Sequence, residues 1–195
     1  MAEPDSSVEL RRLLPSGSGM ARPGLALRFE RELGIGKIQI FGTAPDAHFR
    51  RIAGAAAPHA CGQTEQGGLT IAWLAPGEWL LTGPEPQVIA RLEQIDEHED
   101  DEVLAIDLTH ARSSFLISGT DARDTLAAHC PLDLWSGTFP VHAVARSLLG
   151  DASMFIARLT DVADGPQFRI IIDQTMEDHV ARMLAGPQLH SGTPK

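Results

Sequence analysis

Leu69-Thr70-Ile71-Ala72-Trp73-Leu74-Ala75-Pro76-Gly77-Glu78-Trp79-Leu80-Leu81-Thr82 decides the architecture of this chain. Two runs of strand length, residues 69–74 and 78–82, flank a Pro-Gly pair that supplies the fixed φ and the left-handed residue a tight reversal needs. A connection this short joins antiparallel neighbours, whereas a parallel sheet needs a crossover of about a dozen residues between strands. The reading is therefore antiparallel sheet with helices, not a doubly wound parallel sheet.

Working outward, Ile38 and Ile40 alternate with polar or small neighbours, and Gly42-Thr43 opens a helix in which Thr43 and Asp46 have capping-box spacing. Beyond the hairpin, Val88, Leu92 and Ile95 fall at i, i+4 and i+7 on a helix entered through Pro84 and Pro86. The same order then returns. Leu104, Ile106 and Leu108 alternate with polar or small residues, as do Phe115 and Ile117, and Gly119-Thr120 leads into a helix over 121–129. Ile40-Phe41-Gly42-Thr43 is echoed by Ile117-Ser118-Gly119-Thr120. A hairpin around Gly150-Asp151 and a strand carrying Phe168, Ile170 and Ile172 follow. The final helix places Met176, Val180, Met183 and Leu184 on one stripe, capped by Thr175 and Asp178 and stopped by Gly186-Pro187.

The expected fold is α+β: two ferredoxin-like β-α-β-β-α repeats, about 25–96 and 103–185, fused into one globular domain over 25–185. Residues 1–24, rich in Pro, Gly and Ser, read as a flexible N-terminal arm, and 186–195 as a flexible tail. Gly34-Ile35-Gly36 reads as a turn before the strand at Ile38.

The chain has 195 residues, 43% of them hydrophobic and 22% charged, which suits a soluble globular protein. Acidic residues outnumber basic ones 26 to 16, giving a net charge of −10. That balance removes the attraction to phosphate or anionic lipid on which a nucleic-acid or membrane-surface binder depends. No stretch reaches the roughly 20 apolar residues that span a bilayer. Glu3 and Asp5 precede any basic residue, unlike a signal peptide, and two cysteines make no disulfide framework, so a cytoplasmic location is expected.

Motifs of the large enzyme classes are missing. Gly34-Ile35-Gly36-Lys37 has Arg31 where a phosphate loop needs its first Gly, and neither Gly-x-Gly-x-x-Gly nor Gly-x-Ser-x-Gly occurs. His59-Ala60-Cys61 and His129-Cys130 lack a second ligand pair, so no metal is expected. Cys130 with His110 or His142 as base would make a nucleophile, while the plainer reading is a small buried hydrophobe. The six carboxylates within 96–102 read as a solvated connector between the halves. Asp107 and His110 end an apolar strand, where polar groups either serve a site or satisfy neighbouring backbone. The segment 130–140 holds Leu132, Leu134, Trp135 and Phe139 between Pro131, Gly137 and Pro140. It either folds back over its own sheet or presents Trp135 and Phe139 to another protein.

Asp107-Leu108-Thr109-His110, Phe115-Leu116-Ile117-Ser118-Gly119-Thr120-Asp121-Ala122, Leu126-Ala127, Cys130-Pro131-Leu132-Asp133-Leu134, Phe139-Pro140 and Arg146 together resemble the gamma subunit of heterotetrameric sarcosine oxidase. Ala75-Pro76-Gly77-Glu78-Trp79-Leu80-Leu81 and the Phe168-Arg169-Ile170 strand extend the likeness over about 35–185. The Cys-Pro-Leu-Asp-Leu segment is its specific part, whereas Asp-x-x-His and Gly-x-Asp-Ala are shared with the wider aminomethyltransferase-like group. The resemblance implies an aminomethyltransferase-like folate-binding fold and a complex that oxidatively demethylates sarcosine with oxygen and passes the one-carbon unit to tetrahydrofolate. It implies alpha, beta and delta subunits as partners, with FAD, FMN, NAD, zinc and tetrahydrofolate held on those other subunits and no catalytic residue or cofactor here. Asp107, His110, Cys130, Pro131, Leu132, Asp133, Trp135, Phe139 and Arg146 are the family-motif or interface candidates. Two departures stand out: His142-Ala143 replaces an expected Gly-containing turn, and Gln174-Thr175 an expected Arg-Ser pair. The alternatives are a stand-alone folate-binding protein, a weak hydrolase built on Cys130, and, for the isolated chain, a homodimer.

Overall fold

Alternation along the strands sorts the apolar residues onto two faces, and both faces of both sheets find cover. The computed structural model describes residues 20–96 and 102–186. Residues 1–19 of the expected arm, 97–101 of the acidic connector and 187–195 of the tail lie outside the described residues. The elements in chain order are β1 (Met20–Arg22), β2 (Leu25–Phe29), β3 (Leu33–Ile40), α1 (Pro45–Ala53), β4 (Gln63–Gln66), β5 (Leu69–Ala75), β6 (Glu78–Pro84) and α2 (Glu85–Asp96). There follow β7 (Val103–Asp107), β8 (Arg112–Ser118), α3 (Ala122–Ala127), β9 (Val144–Leu149), β10 (Ala152–Val162), β11 (Gly165–Asp173), a 3-10 turn (Gln174–Met176) and α4 (Glu177–Ala185).

Two antiparallel sheets result, ordered β1-β2-β8-β11-β10-β9 and β4-β5-β6-β3-β7. They meet through Ile35, Ala72 and Leu80 on one side and Val144, Phe155, Ala157 and Ile171 on the other. On the outer face of the five-stranded sheet, Ile38, Ile71, Trp79 and Leu81 pack with Phe49 and Ile52 of α1 and Val88, Leu92 and Ile95 of α2. On the outer face of the six-stranded sheet, Phe115, Ile117, Ile156, Phe168 and Ile170 pack with Leu126 of α3 and Val180 and Leu184 of α4. The layers run helix, sheet, sheet, helix, and the α+β class is as expected.

The two halves are not cut where sequence order placed them. In the first unit, β3-α1-β5-β6-α2-β7, the strands lie β5-β6-β3-β7, the order of a ferredoxin-like repeat with its fourth strand beside its first. In the second, β8-α3-β10-β11-α4, no described strand follows α4, and β2 occupies the place beside β8. So β2 leaves the 25–96 half and β7 leaves the 103–185 half. The cause is the unpaired edge of β8, which β2 satisfies while adding Leu25, Leu27 and Phe29 to the second core. The expected arm over 1–24 is also too long: β1 pairs with β2 from Met20↔Leu27 to Arg22↔Leu25 around the Pro23-Gly24 turn.

Three local expectations are corrected. Gly34 and Gly36 lie inside β3, not in a turn before it, because α2 crosses so closely that a Cβ on Gly34 would sit 2.6 Å from Glu85 Cα. Helix α1 is not capped by Thr43 and Asp46; Ala44 is its N-cap and Pro45 opens it. At the last helix Asp173, not Thr175 with Asp178, is the capping carboxylate, accepting from Thr175 N at 3.1 Å and Thr175 Oγ1 at 2.7 Å. By contrast, the 69–82 hairpin forms as read, with Gly77 at φ 76° after Pro76.

A polar contact crosses between the sheets. Arg169 of β11 donates to Glu30 at 2.7 and 2.9 Å, Ser114 Oγ donates to the same carboxylate at 2.8 Å, and Arg169 Nη1 reaches Thr82 Oγ1 of β6 at 3.4 Å. At one side the sheets also join edge to edge through the Gly62↔Ala143 bridge and Val144 N to Cys61 O at 2.8 Å. Among the described residues no helix is long and apolar enough to cross a membrane.

Candidate functional site

The loop between α3 and β9 is built around one carboxylate. Asp133 Oδ1 accepts from Trp135 N at 3.1 Å and Oδ2 from Thr138 Oγ1 at 2.8 Å, while Trp135 O accepts from Thr138 N at 3.0 Å and Phe139 N at 2.7 Å. The Thr138 hydroxyl and then the Trp135 N–H hold the Asp133 carboxyl below its ordinary value, since both favour the charged form. This knot turns Leu134 and Phe139 inward and leaves Trp135 outside. Phe139 is 7% exposed within the core of the six-stranded sheet, whereas Trp135 is 66% exposed. The loop thus folds back over its own sheet through Leu134 and Phe139 and leaves the Trp135 ring at the surface. Leu132 packs half-buried against the same core, and Pro131 is exposed.

Trp135 rests on a layered support that sequence reasoning missed. The Arg123 guanidinium lies 6.0 Å from the Trp135 ring centre and 5.9 Å from that of Phe168, and the Arg158 guanidinium lies 5.0 Å from the same Phe168 ring centre. Arg123 Nε donates to Leu134 O at 3.0 Å, which ties this ladder to the loop backbone. Arg158 is buried, bonded to Asp161 and to the carbonyls of Leu159 and Gln167. No spacing rule links 123, 135, 158 and 168, because their proximity comes from the sheet order. His142, where a glycine-containing turn is expected, adopts φ 69°, so the left-handed backbone is kept without the glycine.

Cys130 is buried in the same core, and the hydrogen-bonding neighbours of its Sγ are Ser147 Oγ at 3.9 Å and Leu132 N at 3.5 Å. Neither His110 nor His142 is among them, so the Cys130 hydrolase is set aside. Asp107 and His110 do not form a working pair either. Asp107 Oδ1 accepts from Thr109 N at 2.9 Å, and the exposed His110 ring faces Glu85 at 3.8 Å. The buried Thr109 makes the link that matters, its Oγ1 accepting from Ile35 N at 3.0 Å and so locking the end of β7 to β3.

The Thr109 backbone and then side-chain hydrogen bonds, with a smaller contribution from His110, hold the Asp107 carboxyl below its ordinary 3.8. A carboxyl depressed in the folded state stabilises the fold above its unfolded value, and that contribution is lost as pH falls through the folded value. The melting temperature is therefore expected to fall as pH drops below about 4. Asp107→Asn should be less stable than the parent at pH 7 and should lose less on acidification. A parallel acid dependence in the two proteins would show that this turn does not feel the charge.

Arg146 stands on the edge strand β9, 3.9 Å from Glu78 Oε2, which Lys37 Nζ also approaches at 3.1 Å. These three line a cleft of about 810 Å³ at one end of the sheet interface, together with Arg112, Asp173 and Phe155. Arg112 is itself paired with Asp173 at 2.6 Å. Among the described residues no group of three or more His, Cys, Asp or Glu could hold a metal ion.

Comparison with known proteins places this geometry. The model of the sarcosine oxidase gamma subunit family matches residues 42–182. A chain of the heterotetrameric sarcosine oxidase from Corynebacterium sp. U-96, solved in complex with pyrrole 2-carboxylate, superposes with a TM-score of 0.74 at 21% identity, covering 93% of this chain and 92% of that one. Glycine cleavage system aminomethyltransferase T from Bartonella henselae has a TM-score of 0.59 at 14% identity over 85% of this chain and 46% of that one. At those identities the two structures establish the fold. No curated protein matches the chain in sequence. Because the family model spans well over half of the chain and the fold agrees, this protein belongs to the sarcosine oxidase gamma subunit family.

Proposed function

We propose that this chain is the non-redox auxiliary subunit of a cytoplasmic heterotetrameric sarcosine oxidase, docked on its larger partners through the Trp135 loop. The observation that carries the reading is a tryptophan held outside by a rigid loop, while its neighbours Leu134 and Phe139 complete the core. An exposed aromatic on a pre-ordered loop loses little entropy on binding, which is the usual character of an interface anchor. The complex oxidises the N-methyl group of sarcosine with oxygen, yields glycine and hands the one-carbon unit to tetrahydrofolate. Flavins, NAD, zinc and the folate belong to the alpha, beta and delta subunits. This chain's residues take no chemical step.

A second reading, a free-standing folate-binding protein, draws on the cleft beside Lys37 and Arg146. The fit is poor. Lys37 and Arg146 both approach Glu78, and Arg112 is paired with Asp173, so the cations that would meet the anionic tail of a folate are already engaged within the chain. Co-expression with the other subunits should give a complex that survives gel filtration, and tetrahydrofolate titrated against the isolated chain should show no saturable binding. A chain that purifies alone beside its expressed partners and binds the folate saturably would exchange the first reading for the second.

A further inference from the structure

Four strands end the two sheets: β1 and β9 in one, β4 and β7 in the other. β4 and β9 are tied together where they begin, at the Gly62↔Ala143 bridge and through Val144 N to Cys61 O, and β1 has only three residues. The remaining edge, β7, has the sequence Val-Leu-Ala-Ile-Asp and carries no Lys, Pro or bulge of the kind that blocks strand addition. Among the described residues it pairs only with β3.

The backbone register shows which groups are open. Phe41 N donates to Glu102 O and Leu108 N donates to Ile35 O, both at 2.8 Å, so the even-numbered residues of β7 direct their N–H and C=O groups at β3. Val103, Ala105 and Asp107 point theirs outward. Beside this row of open groups Leu104 is 42% exposed, and Phe41, just past the end of the neighbouring β3, is 50% exposed. Val103 and Ala105 pack against the helix-side core, so the strand is held in place before anything joins it.

We propose that the free edge of β7 receives, by antiparallel strand addition, an extended segment of a larger subunit, with apolar side chains over Leu104 and Phe41 and Lys or Arg at its ends. This rests on reading the chain as an assembly subunit. The basic ends follow from charge, since Glu102 and Asp107 bracket the strand and the chain carries −10 overall. A second copy meets the strand less well: paired about Ala105 it would set Glu102 opposite Leu108 and Asp107 opposite Val103, so it brings these carboxylates no countercharge, and two copies at −10 each repel.

The test is residue-resolved hydrogen exchange on this chain, free and in the complex co-expressed with its other subunits. The amides of Val103, Ala105 and Asp107 should exchange about tenfold or more slowly in the complex, while those of Leu104 and Ile106 are protected in both. Leu104→Lys should weaken assembly by about tenfold, since it sets an unmatched cation on the contacted face. Ala105→Pro removes an outward N–H that the fold does not use and should do the same. A complex that forms while these three amides exchange as in the free chain overturns the edge and leaves the assembly reading intact. A wild-type chain that forms no complex overturns both. A free chain that dimerises with the same three amides protected replaces the partner segment with a second copy.

Discussion

Trp135→Asp is expected to weaken assembly with the larger subunits by about 30-fold or more while leaving the free chain folded. The magnitude follows from removing a central aromatic anchor, worth about 2 kcal/mol or more, with each 1.4 kcal/mol a factor of ten. The substitution also sets a second carboxylate two positions from Asp133 and removes the ring over Arg123. Stability should stay within about 0.5 kcal/mol of the parent, because the side chain is largely in water and its loop is fixed by Asp133 and Thr138 instead. Analytical ultracentrifugation of the mixed subunits and urea unfolding of the free chain measure the two quantities separately. Unchanged affinity, with Trp135→Ala equally silent, would remove Trp135 from the interface.

Phe139→Ala should have the opposite profile, destabilising the free chain by about 3–5 kcal/mol as a large buried aromatic is cut back to a cavity. That is a large share of the 5–15 kcal/mol that holds an ordinary domain together. Phe139→Asp, which buries an unpaired charge, should not fold. Urea midpoints report the first, and loss of near-ultraviolet circular dichroism the second. If Phe139→Ala unfolds at the parent midpoint and fails only in assembly, the inward and outward assignments of this loop are reversed. The pair of substitutions therefore separates packing from docking four residues apart.

Much of the fold was legible because local chemistry dictates it. Pro76-Gly77 and Gly150-Asp151 set two hairpins whatever surrounds them, and Val88, Leu92 and Ile95 mark one helical face by spacing alone. The strand exchange was not legible, since β2 could add to either half by its own alternating pattern, and only the open edge of β8 selects one. The two glycines of β3 mislead for a related reason. A missing side chain reads as a turn in one dimension and as room for α2 in three.

The candidate site divides in the same way. Sequence marked the 130–140 loop as apolar and Trp135 within it, and the family likeness named Asp107, His110, Cys130, Asp133 and Arg146. It could not say which apolar side chain faces water, nor could it find Arg123, Arg158 or Thr109, whose roles depend on partners between 9 and 74 positions away.

By itself the sequence determined the antiparallel α+β class, the hairpins, the helical faces and the family, because turn chemistry and side-chain period act over a few residues. Tertiary structure alone decided that Phe139 is core and Trp135 surface, that β2 and β7 change sheets, and that β7 is left open among the described residues. Those outcomes depend on which edge and which face remain unsatisfied once the sheets close, a competition among distant segments that no local window contains.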